Sequence, residues 1–140
     1  MATIDPIVTQ GPGRRPYRDP GPDLNRDVFE DVDLLLFDLF RAAAQNGKGV
    51  IENKTFRNCR VEGPAVMLAM NGVTFDATDF GYHGGDIRNI VLRPASPNKV
   101  IGAIPLRNCS FENCQFFAMG FTGAEVFLQQ VLALGDGSAG

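Results

Sequence analysis

The chain is short of the side chains that carry acid-base, redox and metal chemistry. Its 140 residues include one His, three Cys and no Trp. Metal centres favour four nitrogen or sulfur donors, so these few leave little from which to build one, and no metal or other cofactor is expected. Long apolar runs are also missing, and none approaches the roughly 18 residues of a membrane-spanning helix. The opening MATIDPIVTQ has neither the basic start nor the apolar stretch of a signal peptide. A cytoplasmic location without a membrane partner is therefore expected. With no export signal, an odd cysteine count points to reduced thiols. A strong charge of one sign is absent too. The formal net charge is −3, and residues 48 to 130 carry seven acids and eight bases. So even a balance favours neither a nucleic-acid binder, which needs a basic field, nor an imitation of nucleic acid, which needs an acidic one.

What remains is enough for one domain with a real core, since 44% of residues are hydrophobic and 21% charged. Residues 1–26 read as a flexible arm, because Pro12, Pro16, Pro20 and Pro22 remove backbone donors and Gly11, Gly13 and Gly21 loosen the rest. Arg14, Arg15 and Arg18 around Tyr17 fit a solvated linker better than an anion-binding tag. Residues 27–46 read as an amphipathic capping helix. Asp27 and Glu30 have the capping-box spacing, Asn46-Gly47 supplies a stop, and Val28, Val32, Leu36 and Phe40 share one apolar face. Leu34 and Phe37 fall off that face. They are expected to form a patch covered by the arm or by a second subunit.

From Val50 the helical period gives way to short Phe-, Val- and Ile-bearing runs broken by Asn71-Gly72, Gly84-Gly85 and Pro94 to Asn98. Residues 48–134 are read as the main domain and 135–140 as a disordered tail. Residues 124–134 fit a last strand or a closing helix. A motif of apolar, Arg, Asn, apolar, any, apolar occurs at Phe56–Val61, Ile87–Leu92 and Leu106–Phe111. Within the last copy a finer period of five emerges: Ile104 with Leu106, Cys109 with Phe111, Cys114 with Phe116, Met119 with Phe121 and Ala124 with Val126. A strand repeats every two residues and a helix every 3.6. A period of five suits a chain that turns a corner every few residues and points two side chains of each unit inward.

Over residues 104–126, with shorter pieces at Phe56 to Val66, Val73 with Phe75 and Thr78 with Phe80, this pattern resembles the pentapeptide-repeat family. In that family a small residue and then a Leu or Phe line the interior of a right-handed β-helix. The resemblance implies a mainly β fold, a short parallel β-solenoid of three to four coils. Cys59, Cys109, Phe111, Cys114, Phe116 and Phe121 would lie in its core, and Asn58, Asn89 and Asn108 would stack as a structural ladder. This chain departs from the family in placing Ser110, Gln115, Gly120 and Glu125 between the inward residues, with its Asn before the small one. The helix would close the amino end of the stack, and the far end would meet a partner or its own copy as a homodimer.

The only candidate for chemistry is the loop Phe80 to Asp86. There His83 could act as a base oriented by Asp79 or Asp86, although Gly84-Gly85 more often marks a plain turn. No nucleophile has a recognisable flanking motif. Three functions follow, in order: a non-enzymatic binding scaffold with Tyr82, His83, Leu34 and Phe37 on its surface; a DNA-mimic topoisomerase inhibitor, an activity of some members of the similar family; and a small hydrolase or lyase using His83.

Overall fold

The structure, a computed structural model, describes residues 16 to 138. It is mainly β. In chain order the elements are β1 (Val28–Glu30), β2 (Asp33–Leu35), α1 (Leu36–Gln45), β3 (Ile51–Glu52), β4 (Thr55–Arg57), β5 (Arg60–Ala69) and β6 (Thr74–Asp76). A 3-10 turn (Ile87–Ile90), β7 (Val91–Leu92), β8 (Ile104–Arg107), β9 (Ser110–Glu112), β10 (Gln115–Gly123) and α2 (Glu125–Ser138) follow. Among the described residues no helix is long and apolar enough to cross a membrane.

Every strand pairing among the described residues is parallel. The first sheet has the order β1-β4-β9-β6. The second runs β3-β8-β5-β10-β7, with β2 added on β5. Both sheets are open. Spatial order departs from chain order. Strand β9 comes late in the sequence yet stands between β4 and the earlier β6, and the start of β10 likewise stands between β5 and the earlier Asp79. Residues 93–103 carry the chain back so that β8 can enter beside β3 and β5.

The corners between strands explain the period of five. Asp31, Asn58, Asn113 and Ala77 have φ of 58, 52, 55 and 50°, and Asn53 and Asn108 have 62 and 54°. A left-handed residue costs most side chains roughly 1–2 kcal/mol, and Asn and Asp tolerate it best. The corners at residues 53 and 58, 72 and 77, and 108 and 113 are each five residues apart. Successive tiers are tied by Asp31 N–H to the Arg57 carbonyl (3.0 Å), Asn58 N–H to that of Glu112 (2.9 Å) and Asn113 N–H to that of Asp76 (2.9 Å). At Gly72 the φ of +80° strains any L side chain, and a Cβ there would crowd Asn108, 3.1 Å from its Cα, which favours glycine.

Just beyond these corners, the side chains that point inward build the core. Phe29, Phe56, Phe111 and Phe75 stack with centroids 5.4, 4.7 and 5.3 Å apart and planes within 8° of parallel. Arg26 closes one end of the column, 4.9 Å from the Phe29 centroid, and Phe127 of α2 the other, 5.5 Å from Phe75. Leu34, Val61, Phe116 and Phe80 form the parallel row, all buried. Of the period-five residues, Ile104 through Phe121 are buried, whereas Val126 is 73% exposed on α2.

Residues 28–35, expected as the first turns of a helix, are strands β1 and β2, and α1 begins only at Leu36. Pairing with β4 and β5 overrides the helical spacing, because Phe29 and Leu34 gain full burial there. Leu34 is consequently a core residue, 1% exposed, and belongs to no surface patch; Phe37 is 55% exposed beneath the Arg41 guanidinium. The helix that remains ends at Asn46 and Gly47, whose φ is +78°. It buries Leu36, Leu39 and Ala42 against β2, β3, β5 and β8, with Val32 and Phe40 partly buried on the core.

The arm differs from expectation where it is described. The Arg18 carbonyl accepts from Asp33 N–H (2.7 Å), and Arg18 donates its own N–H to Asp33 Oδ2 (2.8 Å), which covers the edge of β2. Asp33 is fully buried and ion-paired to Arg60 at 3.3 Å. Arg14 and Arg15 lie outside the described residues. The stretch 124–134 is helical from Glu125 onward, and α2 continues through Ser138 into the segment expected as a tail. Truncating a middle ring, Phe111→Ala, should cost about 3–5 kcal/mol in urea denaturation. Phe37→Ala should change stability by less than about 0.5 kcal/mol. Equal effects would contradict the role given to the column.

Candidate functional site

The three asparagines of the repeated motif do not stack on one another. Asn58 turns the corner between β4 and β5 and hydrogen-bonds Asp31 Oδ1. Asn108 turns a different corner, between β8 and β9, and donates its N–H to the Asn71 carbonyl at 3.0 Å. Asn89 lies in the 3-10 turn, with Nδ2 on the His83 carbonyl at 2.8 Å. The ladders that do form are of mixed residues at equivalent corners. Asp31-Val32-Asp33-Leu34, Asn58-Cys59-Arg60-Val61, Ala77-Thr78-Asp79-Phe80 and Asn113-Cys114-Gln115-Phe116 share one pattern of left-handed, small, polar and large inward residues. That spacing was the signal for the first tier, hidden because Asp-Val and Ala-Thr look unlike Asn-Cys.

The cysteines fill the small positions behind these corners, and all three are free and buried. Each thiol donates to a carbonyl of the adjacent tier: Cys59 to Phe29 and Cys114 to Phe56 at 3.3 Å, and Cys109 to Ile51 at 3.6 Å. Cys59 and Cys114 also touch. That contact lowers Cys59 to about 7 and, with burial, raises Cys114, while burial raises the isolated Cys109. Among the described residues no three His, Cys, Asp or Glu side chains cluster as metal ligands.

The loop 80–86 does not bring its acids to the imidazole. Asp79 Oδ1 accepts from Gly81 N–H at 2.9 Å. Asp86 receives Arg88 Nε, Nη2 and N–H at 3.0, 2.8 and 2.9 Å. His83 is half-buried, and its Nδ1 is enclosed without a hydrogen-bond partner. Tyr82 is exposed. The Arg88 hydrogen bonds pull the Asp86 carboxyl down to about 2.

What the loop does border is an apolar groove. α2 leaves the edge of β6 and encloses about 620 Å³ between Phe75, Phe80, Phe127, Val131 and Leu134. A second hollow of about 320 Å³ shares Phe80 and Leu134 and reaches Asp79, His83 and Ile87. β6 is the last strand of its sheet. Thr74 N–H and the Asp76 carbonyl bond toward β9. In a parallel ladder alternate residues face opposite neighbours, so the N–H and C=O of Phe75 point outward from the sheet edge. Sequence reasoning placed no groove here, because it arises where β6, the 80–86 loop and α2 meet.

No protein-family model, curated protein or solved structure matches the chain. Function therefore rests on the geometry alone.

The Asp86 contact sets a pH dependence. A carboxyl held below its ordinary 3.8 contributes stability that is fully present above about pH 4 and is lost as pH falls through about 2. In Arg88→Ala the Asp86 carboxyl should titrate clearly above about 2 by carbon-detected NMR, moving toward its ordinary 3.8 while the backbone N–H of residue 88 still holds it below. An unchanged midpoint would remove Arg88 as the cause.

Proposed function

We propose that the chain is a short right-handed parallel β-solenoid, akin to the pentapeptide-repeat family, and serves as a non-enzymatic scaffold that binds an extended segment of another protein. Uniformly parallel pairing supports the winding, as do corners five residues apart and a continuous inward ring column. The open edge of β6 beside an apolar groove carries the binding reading. Unpaired edge groups are a template for an added strand, and an adjacent pocket supplies side-chain specificity. The edge of β2, by contrast, is covered by Arg18.

The other two readings draw less support. An imitation of DNA needs a run of acids, yet Arg57 interrupts the outward charged row of the first sheet, 3.9 Å from Glu30 and 3.2 Å from Glu112. A hydrolase needs a carboxylate on the imidazole of His83, and both nearby acids are engaged elsewhere.

Panning displayed random peptides against the full chain should yield clones that lose binding on Leu134→Arg, which fills the groove with a charged side chain, and keep it on His83→Ala. Clones indifferent to Leu134→Arg would refute binding in the groove. Light scattering should return a monomer mass, and a stable dimer would favour a second copy as the occupant.

A further inference from the structure

The register of the first sheet specifies what kind of strand could continue it. Three rows cross the sheet through β1, β4, β9 and β6. The first is outward and small or β-branched: Val28, Thr55, Ser110 and Thr74, with Thr74 Oγ1 bonded to Ser110 Oγ at 3.3 Å. The second is the inward phenylalanine column. The third is outward and charged: Glu30, Arg57, Glu112 and Asp76. In it Arg57 serves both Glu30 and Glu112, so the row ends on two acids side by side. Around the corner a second row also ends on an acid. Asp33, Arg60, Gln115 and Asp79 lie in register, and Arg60 is spent on Asp33 and Glu62.

Both rows therefore finish at the open edge on an acid, and among the described residues no cation pairs with Asp76 or Asp79. The bases of this end are committed, Arg88 to Asp86 and Arg93 to Glu125, each at 2.8 to 2.9 Å. We infer that the occupant of the groove is a basic extended peptide that adds in parallel to β6: a small polar residue beside Thr74, an apolar residue beside Phe75 facing the groove, Lys or Arg beside Asp76, and a second base three residues later beside Asp79. This rests on the binding reading given above and assigns its partner class. Opposite charges directly across a strand pair stabilise it and like charges oppose it.

The same rule opposes head-to-tail stacking of the chain's own copies. Stacking β1 of a second molecule on β6 in the register of the sheet would set Glu30 on Asp76 and Asp33 on Asp79, acid upon acid. Antiparallel pairing of β6 with β6 through the outward Phe75 groups would instead set each Asp76 across from Thr74, so the charge rule acts against head-to-tail stacking and not against a twofold pair. The acids thus keep the open edge from growing a filament of identical molecules while leaving it receptive to a base-bearing strand.

The test uses the full chain and two fluorescein-labelled peptides, Thr-Ile-Arg-Asn-Thr-Lys and the counterpart with Glu in place of both bases, read by fluorescence anisotropy. The basic peptide should bind about ten-fold or more tightly than the acidic one, with the preference shrinking as salt rises. Asp76→Lys, an exposed change, should shrink the preference toward equality because Asp79 still faces the second position, and Leu134→Arg should abolish binding of either peptide. Equal binding of the two peptides, or a preference unmoved by Asp76→Lys, overturns the charge assignment while leaving groove binding in place. Failure of both peptides overturns the assignment; if panned clones also ignore Leu134→Arg, the binding reading falls with it.

Discussion

The column of rings running from Phe29 through Phe56 and Phe111 to Phe75 is the constraint to which the rest of the molecule conforms. Near-parallel stacking at about one strand spacing requires strands in parallel register, because only then do equivalent side chains superimpose tier upon tier. Aromatic pairs of this kind contribute roughly 0.5–1.5 kcal/mol beyond their buried area. The left-handed corners follow from the same demand. The chain must turn sharply after three-residue strands to return a second inward row, and Asn, Asp and Gly turn there at least strain.

A stack of this kind has ends, and the two ends are finished differently. At β1 the guanidinium of Arg26 lies over the terminal ring, and the neighbouring edge of β2 is paired with Arg18. At β6 the terminal ring is met by Phe127, while the backbone edge beside it stays open and the helix stands off to leave a groove. Covering the rings shields apolar surface; leaving the edge open keeps directional donors and acceptors available. That division leaves one end closed and the other with an open strand edge beside a groove.

Much of this was legible in the residues themselves, and the reasons are local. The inward identity of Cys109, Phe111, Cys114, Phe116 and Phe121 follows from small and large side chains alternating at a spacing that neither helix nor strand supports alone. The stop at Asn46-Gly47 was legible because left-handed backbone selects those residues. Helical spacing over residues 28–35 misled for an equally physical reason: Phe29 and Val32 satisfy a helical stripe and a cornered strand alike, and only the pairing with β4 and β5, which also buries the off-stripe Leu34, decides between the two. Asn89 shares its flanking residues with Asn58 and Asn108 but closes a 3-10 turn capped by Asp86.

Composition and local pattern thus determined that the chain is mainly β, where it turns, and which side chains face inward, since these depend on backbone strain and on side chains a few residues apart. The order of the tiers was decided by tertiary structure alone. The late strands β9 and β10 slot between earlier ones because residues 93–103 return the chain, and no local preference records that choice. The groove and the two acids at its rim come from the same source. Asp76 ends a charge row only because β6 is last in space, although four strands follow it in the chain.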